Sequence, residues 1–202
     1  MRRGHLILFV KAPQLGAVKT RLAHDIGRYE AWRFYRDTTR LMIRRLGGQA
    51  RWRLVLAVTP DKFSVRAGFW PQEFLRLPQG HGDIGLRMAR GFDAVPPGPA
   101  VLIGADIPTV TRGDIAEAFR LLTRADLVFG PSTDGGFWLV GTRHRGRLRR
   151  IFRNVRWSSP HALEDTLANI RGRTDVALLD PQTDIDTGEA YLAWKGSKSA
   201  RS

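Results

Sequence analysis

The most constraining feature of the sequence is a short uncharged run that ends at an acidic residue. Residues 100–104, Ala-Val-Leu-Ile-Gly, carry no charge, and Ala-Asp-Ile-Pro follows them directly. An apolar run of this length is typical of a strand covered on both faces, as in parallel sheets. Pro108 cannot extend a central strand, so the chain must turn there. The pattern therefore predicts an α/β protein in which Asp106 lies just beyond the carboxyl end of a central strand.

The expected position of Asp106 suggests a role in ligand binding. In open α/β sheets, ligands bind outside the carboxyl ends of the strands. A carboxylate at that edge suits a hard divalent cation such as Mg²⁺, which prefers oxygen ligands and often bridges to the phosphates of a substrate. Asp is also a common turn residue, so Asp106 could serve only to complete the turn. Both interpretations stay open at this point.

A second informative stretch follows the first predicted strand, residues 5–10. Residues 11–22 form a loop with one proline and one glycine that leads into a helix, and they contribute three cations, Lys11, Lys19 and Arg21. The amide groups that begin a helix favour anions, and nearby cations strengthen that preference. The segment therefore predicts a phosphate-binding loop, although it lacks the spacing of a Walker A motif. The alternative is an ordinary strand-to-helix loop with surface lysines.

Further carboxylates are expected near the same edge of the sheet. Asp184 and Asp186 follow the last predicted strand and alternate, so an extended segment places them on one face. Carboxylates that face one another repel unless a cation or hydrogen bonds intervene. We therefore predict that Asp106, Asp184 and Asp186 converge on one divalent cation. On that basis we expect Asp106→Asn to maintain or raise the stability of the protein without metal, because repulsion is relieved.

Composition narrows the classes that the protein can belong to. A chain of 202 residues with 43% hydrophobic residues suits one domain, predicted over 1–195, with 196–202 as a disordered tail. The absence of cysteine excludes disulfides and thiolate metal sites. No apolar window reaches the length of a membrane span, and the N-terminal apolar run is too short for a signal peptide, so we expect a cytoplasmic protein.

The formal net charge of +14 raises the question of a nucleic-acid partner. The arginines are spread over nearly every predicted helix, and no helix-turn-helix, zinc-finger or aromatic RNA-binding signature is present. A general bias toward arginine accounts for the charge equally well. We therefore expect no nucleic-acid binding, and we keep a basic nucleic-acid-binding module as the less favoured alternative.

Five short motifs occur in order along residues 5–193, and together they resemble a bacterial family of GT-A-fold, glycosyltransferase-like transferases. Some members are linked to arsenosugar biosynthesis, and the family is related to the guanylyltransferases that activate phospholactate and molybdopterin. The motifs are Lys11-Ala12-Pro13 with Gly16-x-Val18-Lys19-Thr20-Arg21-Leu22, Gly82-Asp83-Ile84-Gly85-x-Arg87-Met88, Gly104-Ala105-Asp106-Ile107-Pro108, Gly130-Pro131-x-x-Asp134-Gly135-Gly136-Phe137, and Asp184-Ile185-Asp186-Thr187.

This resemblance implies a nucleotide-diphospho-sugar transferase fold, Rossmann-like, with a mostly parallel sheet and helices on both faces. It also implies a transferase that depends on Mg²⁺ or Mn²⁺ and transfers a glycosyl group from a nucleotide sugar to a small-molecule acceptor. The alternative is a nucleotidyltransferase that joins a nucleoside triphosphate to a phosphorylated small molecule. Both reactions need the same metal and phosphate contacts, so the resemblance does not separate them.

The resemblance also assigns roles to individual residues. The positions expected to bind the nucleotide are Lys11, Gly16, Lys19 and Arg21 at the phosphates and Gly82 and Asp83 near the base. Asp106 is expected to hold the metal with Asp184 and Asp186 near it, and Asp134 is expected to face the sugar or acceptor, which makes Asp106 and Asp134 the expected catalytic pair. Simpler alternatives are a helix cap for Asp83 and a tight turn for Asp134. Trp138 stands where many relatives are expected to have tyrosine, a change that would alter acceptor packing.

Overall fold

The computed structural model describes residues 3–65 and 68–199, and this part of the chain contains one seven-stranded sheet. Its strands are β1 (Gly4–Lys11), β2 (Trp52–Thr59), β3 (Leu75–Pro78), β4 (Ala100–Gly104), β5 (Leu127–Pro131), β6 (Phe137–Thr142) and β7 (Val176–Leu178). The strand order is β3-β2-β1-β4-β6-β5-β7. Only β6 runs antiparallel to its neighbours, β4 and β5, so the predicted mostly parallel sheet is confirmed.

Helices connect the strands and cover the sheet. They are α1 (Thr20–Ile26), α2 (Arg28–Leu46), α3 (Lys62–Val65), α4 (Ile84–Asp93), α5 (Arg112–Leu121), α6 (Leu148–Ile151), α7 (Ala162–Ala168) and α8 (Gly188–Ser199), with a 3₁₀ turn at Arg145–Arg147 before α6. None of the helices in the described residues has the length and apolar character needed to cross a membrane.

The core divides into two layers because side chains alternate across each strand. On β1, Leu6, Leu8 and Val10 face one layer, whose helical residues come mainly from α2 and α5. Ile7 and Phe9 face the other layer, which includes residues of α4 and α6. This arrangement explains why β1 and β4 have almost uninterrupted apolar sequences, and it confirms the predicted helices on both faces.

The C-terminal segment packs against α2. Its helix, α8, continues to Ser199, and residues 200–202 of the predicted tail lie outside the described part of the chain. Tyr191 and Trp194 make edge contacts with the ring of Phe34 on α2. Once these contacts fix the first turns, each further residue adds a hydrogen bond at little cost, and the helix extends.

Candidate active site

The carboxyl ends of β1 and β4 lie side by side, and a cavity of about 410 Å³ opens there. Its polar lining includes Lys11, the last residue of β1, and Lys19 and Asp106 from the loops that follow β1 and β4. Its apolar wall includes Phe9, Met88, Leu102, Phe137 and Val140. The structure thus confirms that Asp106 follows the central strand at the edge where open α/β sheets bind ligands.

Lys19 connects two of the predicted acidic residues. Its Nζ lies 2.7 Å from Oδ1 of Asp106 and 2.7 Å from Oδ1 of Asp186, and its side chain is only 4% exposed. Burial by itself lowers the pKa of Lys19, but the charges and hydrogen bonds of Asp106 and Asp186 outweigh burial and raise the pKa above its ordinary value. Lys19 is therefore a buried ammonium paired with two carboxylates.

The predicted set of three carboxylate metal ligands stays a prediction. Residues 3–65 and 68–199 contain no group of three or more His, Cys, Asp or Glu placed to hold a metal ion. In this structure the cation between Asp106 and Asp186 is the Lys19 ammonium. Sequence analysis assigned Lys19 to phosphate and did not anticipate this ion pairing.

The loop that carries Asp106 is held from two sides. Arg45 Nη1 donates to the carbonyl oxygens of Pro108, at 2.8 Å, and Val110, at 2.7 Å. The amide of Ile185 donates to the carbonyl oxygen of Asp106 at 3.4 Å, which links this loop to the acidic C-terminal segment. These contacts bring the distant sequence positions 106 and 186 to the same ammonium.

Tyr35, on α2, is a site residue that belongs to none of the sequence motifs. Its hydroxyl accepts from the amide of Lys11 at 2.7 Å and donates to the carbonyl oxygen of Lys11 at 3.0 Å. Burial, and then the charge of Asp106, raise the pKa of Tyr35, so the hydroxyl stays protonated. Tyr35 therefore fixes the end of β1 at the cavity wall, and helical spacing alone gave no sign of that role.

A second cavity, of about 180 Å³, adjoins the first. The two share Gly104, Asp106, Phe137 and Trp138 as lining residues. The smaller cavity adds Ser132, Asp134 and Asp184. Burial, followed by the charges of Asp186 and Asp134, raises the pKa of Asp184, because three carboxylates lie near one another.

Asp134 lies in a tight turn, as the structural alternative predicted. Its Oδ1 accepts from the amide of Gly136 at 3.0 Å. Gly135 has φ +85°, and a Cβ at this position would lie 2.0 Å from the carbonyl oxygen of Pro160. The amide of Leu163 donates to the carbonyl oxygen of Gly135 at 3.1 Å, so the segment that begins α7 supports the turn. The glycine is thus required for Asp134 to reach the cavity edge.

The glycine-rich segment before α4 is also fixed by side chains. Gln79 is buried and donates from Nε2 to the carbonyl oxygens of Val10 and Ala57, while its Oε1 accepts from Arg87 Nη2. Asp83 caps α4, since its Oδ1 accepts from the amide of Leu86 at 2.7 Å. The cap predicted as the simpler role of Asp83 is confirmed.

The predicted site residues thus fall into two groups. Lys11, Lys19 and Asp106 line the larger cavity, Asp106, Asp134 and Asp184 line the smaller one, and Asp186 joins them through Lys19. Neither cavity is lined by Gly16, Arg21, Gly82 or Asp83, so the nucleotide contacts of these residues stay predictions. Sequence analysis missed Gln79 and Arg87 as lining residues of the larger cavity, although Arg87 belonged to a quoted motif.

Comparison with known families identifies the chain. Residues 42–159 match the DUF2064 family model, described as "Uncharacterized protein conserved in bacteria". The chain belongs to this family. No curated protein matches the chain.

Solved structures of similar proteins agree with this fold. A protein of Desulfovibrio desulfuricans G20, provisionally named a nucleotide-diphospho-sugar transferase, is 28% identical, with a TM-score of 0.81 over 93% of this chain and 84% of that one. Rv0371c of Mycobacterium tuberculosis H37Rv, in complex with manganese, is 17% identical, with a TM-score of 0.56 over 95% of this chain and 97% of that one. The 4-diphosphocytidyl-2C-methyl-D-erythritol synthase of Anaerococcus prevotii DSM 20548 is 9% identical, with a TM-score of 0.64 over 98% of each chain.

The last two likenesses show the fold alone. All three structures show that this DUF2064 protein has the nucleotide-diphospho-sugar transferase fold, and the likeness to the Desulfovibrio protein supports a transferase-like enzyme. This confirms the fold and the enzyme class that the motif resemblance implied.

Proposed function

We propose that this DUF2064 protein transfers a glycosyl group from a nucleotide-diphospho-sugar to a small hydroxylated acceptor. The observation that carries the proposal is the position of Asp106 on a wall shared by two cavities of different charge. The donor binds in the larger cavity, the acceptor binds in the smaller one, and transfer takes place where the two meet.

The larger cavity suits a nucleotide donor. Lys11, Lys19 and Arg87 contribute positive charge, and charged hydrogen bonds from such groups to phosphate oxygens are strong. The apolar wall beside them suits a flat base and a ribose, since small-molecule sites combine apolar surface with a few placed polar groups. A volume of about 410 Å³ lies within the range of ligand pockets. The fold shared with the Desulfovibrio protein supports the same assignment.

The lining of the smaller cavity favours one of the two candidate reactions. Among the described residues that line it, three are carboxylates, Asp106, Asp134 and Asp184, and none is Lys, Arg or His. Carboxylates repel a phosphorylated acceptor, whereas they accept hydrogen bonds from hydroxyl groups. The lining therefore favours glycosyl transfer to a neutral polyol or sugar over nucleotidyl transfer to a phosphorylated molecule.

Side chains of the protein accept the proton and stabilise the negative charge that the transfer step produces. The acceptor hydroxyl oxygen attacks the anomeric carbon, and the bond from that carbon to the diphosphate oxygen breaks, so the electron pair leaves with the nucleoside diphosphate. Asp134 takes the acceptor proton on Oδ2, because its Oδ1 already accepts from Gly136. Lys11 and Lys19 stabilise the negative charge that develops on the leaving diphosphate.

Asp106 and Asp186 fit a divalent metal ion. Their Oδ1 atoms already face one cationic position, which the Lys19 ammonium marks at 2.7 Å from each. Carboxylate oxygens are the ligands that Mg²⁺ and Mn²⁺ prefer. A bound ion would supply additional neutralisation of the leaving diphosphate. The manganese complex of Rv0371c, a protein of the same fold, supports this part of the proposal.

Product analysis distinguishes the candidate reactions. The purified protein with Mn²⁺ is incubated with a panel of nucleotide sugars and neutral polyol acceptors, and separately with nucleoside triphosphates and phosphorylated acceptors. We expect a nucleoside diphosphate and a glycosylated acceptor from the first set. Pyrophosphate released only in the second set would replace the proposal with nucleotidyl transfer.

A further inference from the structure

We propose that Lys19 determines whether the acidic pair, Asp106 and Asp186, binds a free divalent ion or a metal–nucleotide complex. Its ammonium competes with a free divalent ion for Asp106 and Asp186, so the ion binds tightly only when nucleotide phosphates replace the carboxylates as partners of Lys19. The proposal rests on the proposed function, which places the metal at these two carboxylates. It adds a preferred order of binding, in which the metal enters together with the nucleotide.

The geometry makes the two cations mutually exclusive. The Lys19 ammonium contacts the same Oδ1 atoms of Asp106 and Asp186 that face the candidate metal position. A divalent ion bound to those atoms would lie within a few ångströms of Nζ, where two positive charges repel strongly. Metal binding therefore requires the ammonium to move away.

The burial of Lys19 determines when that movement is possible. With its side chain only 4% exposed, an ammonium that lost both carboxylates without gaining another anion would be poorly solvated. A free metal ion offers no such anion. A nucleotide offers phosphate oxygens in the cavity that Lys19 itself lines. A metal–nucleotide complex therefore provides phosphates for Lys19 and a metal ion for Asp106 and Asp186 at the same time.

The backbone of Lys19 is an independent sign of constraint. Lys19 has φ 47° and ψ 47°, a left-handed conformation that is unfavourable for a residue with a Cβ. It occupies the N-cap position of α1 without making a side-chain cap hydrogen bond. Helix capping therefore does not explain why a lysine adopts this conformation at position 19, whereas the two ion pairs do. Strained conformations of this kind persist where the surrounding structure holds them, and they cluster at functional sites.

The test measures Mn²⁺ binding by calorimetry and electron paramagnetic resonance without nucleotide. Lys19→Met should bind Mn²⁺ at least about 10-fold more tightly than wild type, because the ion no longer displaces two charged hydrogen bonds. Lys19→Arg, which keeps the charge, should show no such gain. Lys11→Met is the matched control: it removes one charge from the same cavity but, among the described residues, from no ion pair, so its change should stay below about 3-fold.

A Lys19→Met protein that binds Mn²⁺ no better than wild type overturns the proposal. So does a Lys11→Met protein with an equal gain, which would show that only the total charge matters. These measurements omit nucleotide, so they can succeed even if the transferase assay gives no product. Equally, their failure leaves the result of that assay unaffected.

A labelling experiment on the wild-type protein keeps the proposal falsifiable if Lys19→Met does not fold. Amine acetylation, followed by mass spectrometry, should modify Lys19 at least about 10-fold more slowly than the exposed Lys62, because Lys19 is buried in its ion pairs. Mn²⁺ at concentrations high enough to bind without nucleotide should accelerate the labelling of Lys19. Bound Mn²⁺ with unchanged labelling of Lys19 would contradict mutual exclusion.

Discussion

Replacing Asp106 by Asn should destabilise the protein, the opposite of what its sequence alone led us to expect. The sequence predicted mutual repulsion among carboxylates, so that losing one charge would be neutral or stabilising. In the structure Asp106 is instead one of two anions that compensate the buried Lys19 ammonium, at 2.7 Å. The substitution removes attraction, and the sign of the stability change reverses.

The expected loss in the free energy of unfolding depends on how exposed Asp106 and Lys19 are. A hydrogen bond between charged groups contributes about 1.5–3 kcal/mol. The Asp106 side chain is 53% exposed, which screens the interaction, and Asp186 remains to pair with Lys19, so we expect a loss of roughly 1–1.5 kcal/mol. For a chain of this size the corresponding fall in Tm is about 2–6 °C.

Urea denaturation at pH 7 without metal or nucleotide measures this change. Asp37→Asn serves as the control, since Asp37 is an exposed carboxylate paired with Arg36 at 2.9 Å and its loss should change the unfolding free energy by less than about 0.5 kcal/mol. If Asp106→Asn is as stable as wild type or more stable, the ion pair does not stabilise the fold and our account of Lys19 is refuted.

Three further predictions concern the walls of the two cavities. Tyr35→Phe should cost about 1–3 kcal/mol, because the amide and carbonyl groups of Lys11 lose their hydroxyl partner; thermal melting checks this. Gly135→Ala should lower stability by about 1–3 kcal/mol and abolish transfer, since its Cβ collides with Pro160, whereas Gly146→Ala, with open space around it, should be nearly neutral in both assays. Asp184→Asn should raise the unfolding free energy at pH 7 by roughly 0.5 kcal/mol. Because the pKa of Asp184 is raised in the folded protein, its destabilising effect grows as pH rises above 3.8, so the gain should vanish below that pH in a series of melts.

The position of Asp106 could be predicted from sequence because one local pattern determines it. Few folds accommodate an apolar run that ends before Asp-Ile-Pro, and β4 has the predicted bounds, Ala100–Gly104. Helix α2 is likewise marked by local signals, because its apolar stripe and the glycines Gly47 and Gly48 that follow it match its observed bounds, Arg28–Leu46. Strong periodicity and clear terminal signals are local, so no tertiary information was needed.

The pairing of Lys19 with Asp106 and Asp186 could not be predicted in this way. It joins residues 167 positions apart in sequence, and whether a lysine faces phosphate or carboxylate depends on distances that no local pattern encodes. The same limit applies to Tyr35, whose helical spacing indicates burial but not the Lys11 backbone groups that its hydroxyl contacts. Such contacts depend on the tertiary structure, whereas sequence motifs indicate only which residues can make them.

The most direct test of the central assignment is calorimetric titration of wild type and Asp106→Asn with nucleoside diphosphates, in the presence and absence of Mn²⁺. We expect wild type to bind at least one nucleotide about 10-fold more tightly or better with Mn²⁺, and Asp106→Asn to lose that dependence on metal while remaining folded. Nucleotide binding by Asp106→Asn that still strengthens with Mn²⁺ as it does in wild type would contradict the placement of the metal and the donor diphosphate at Asp106.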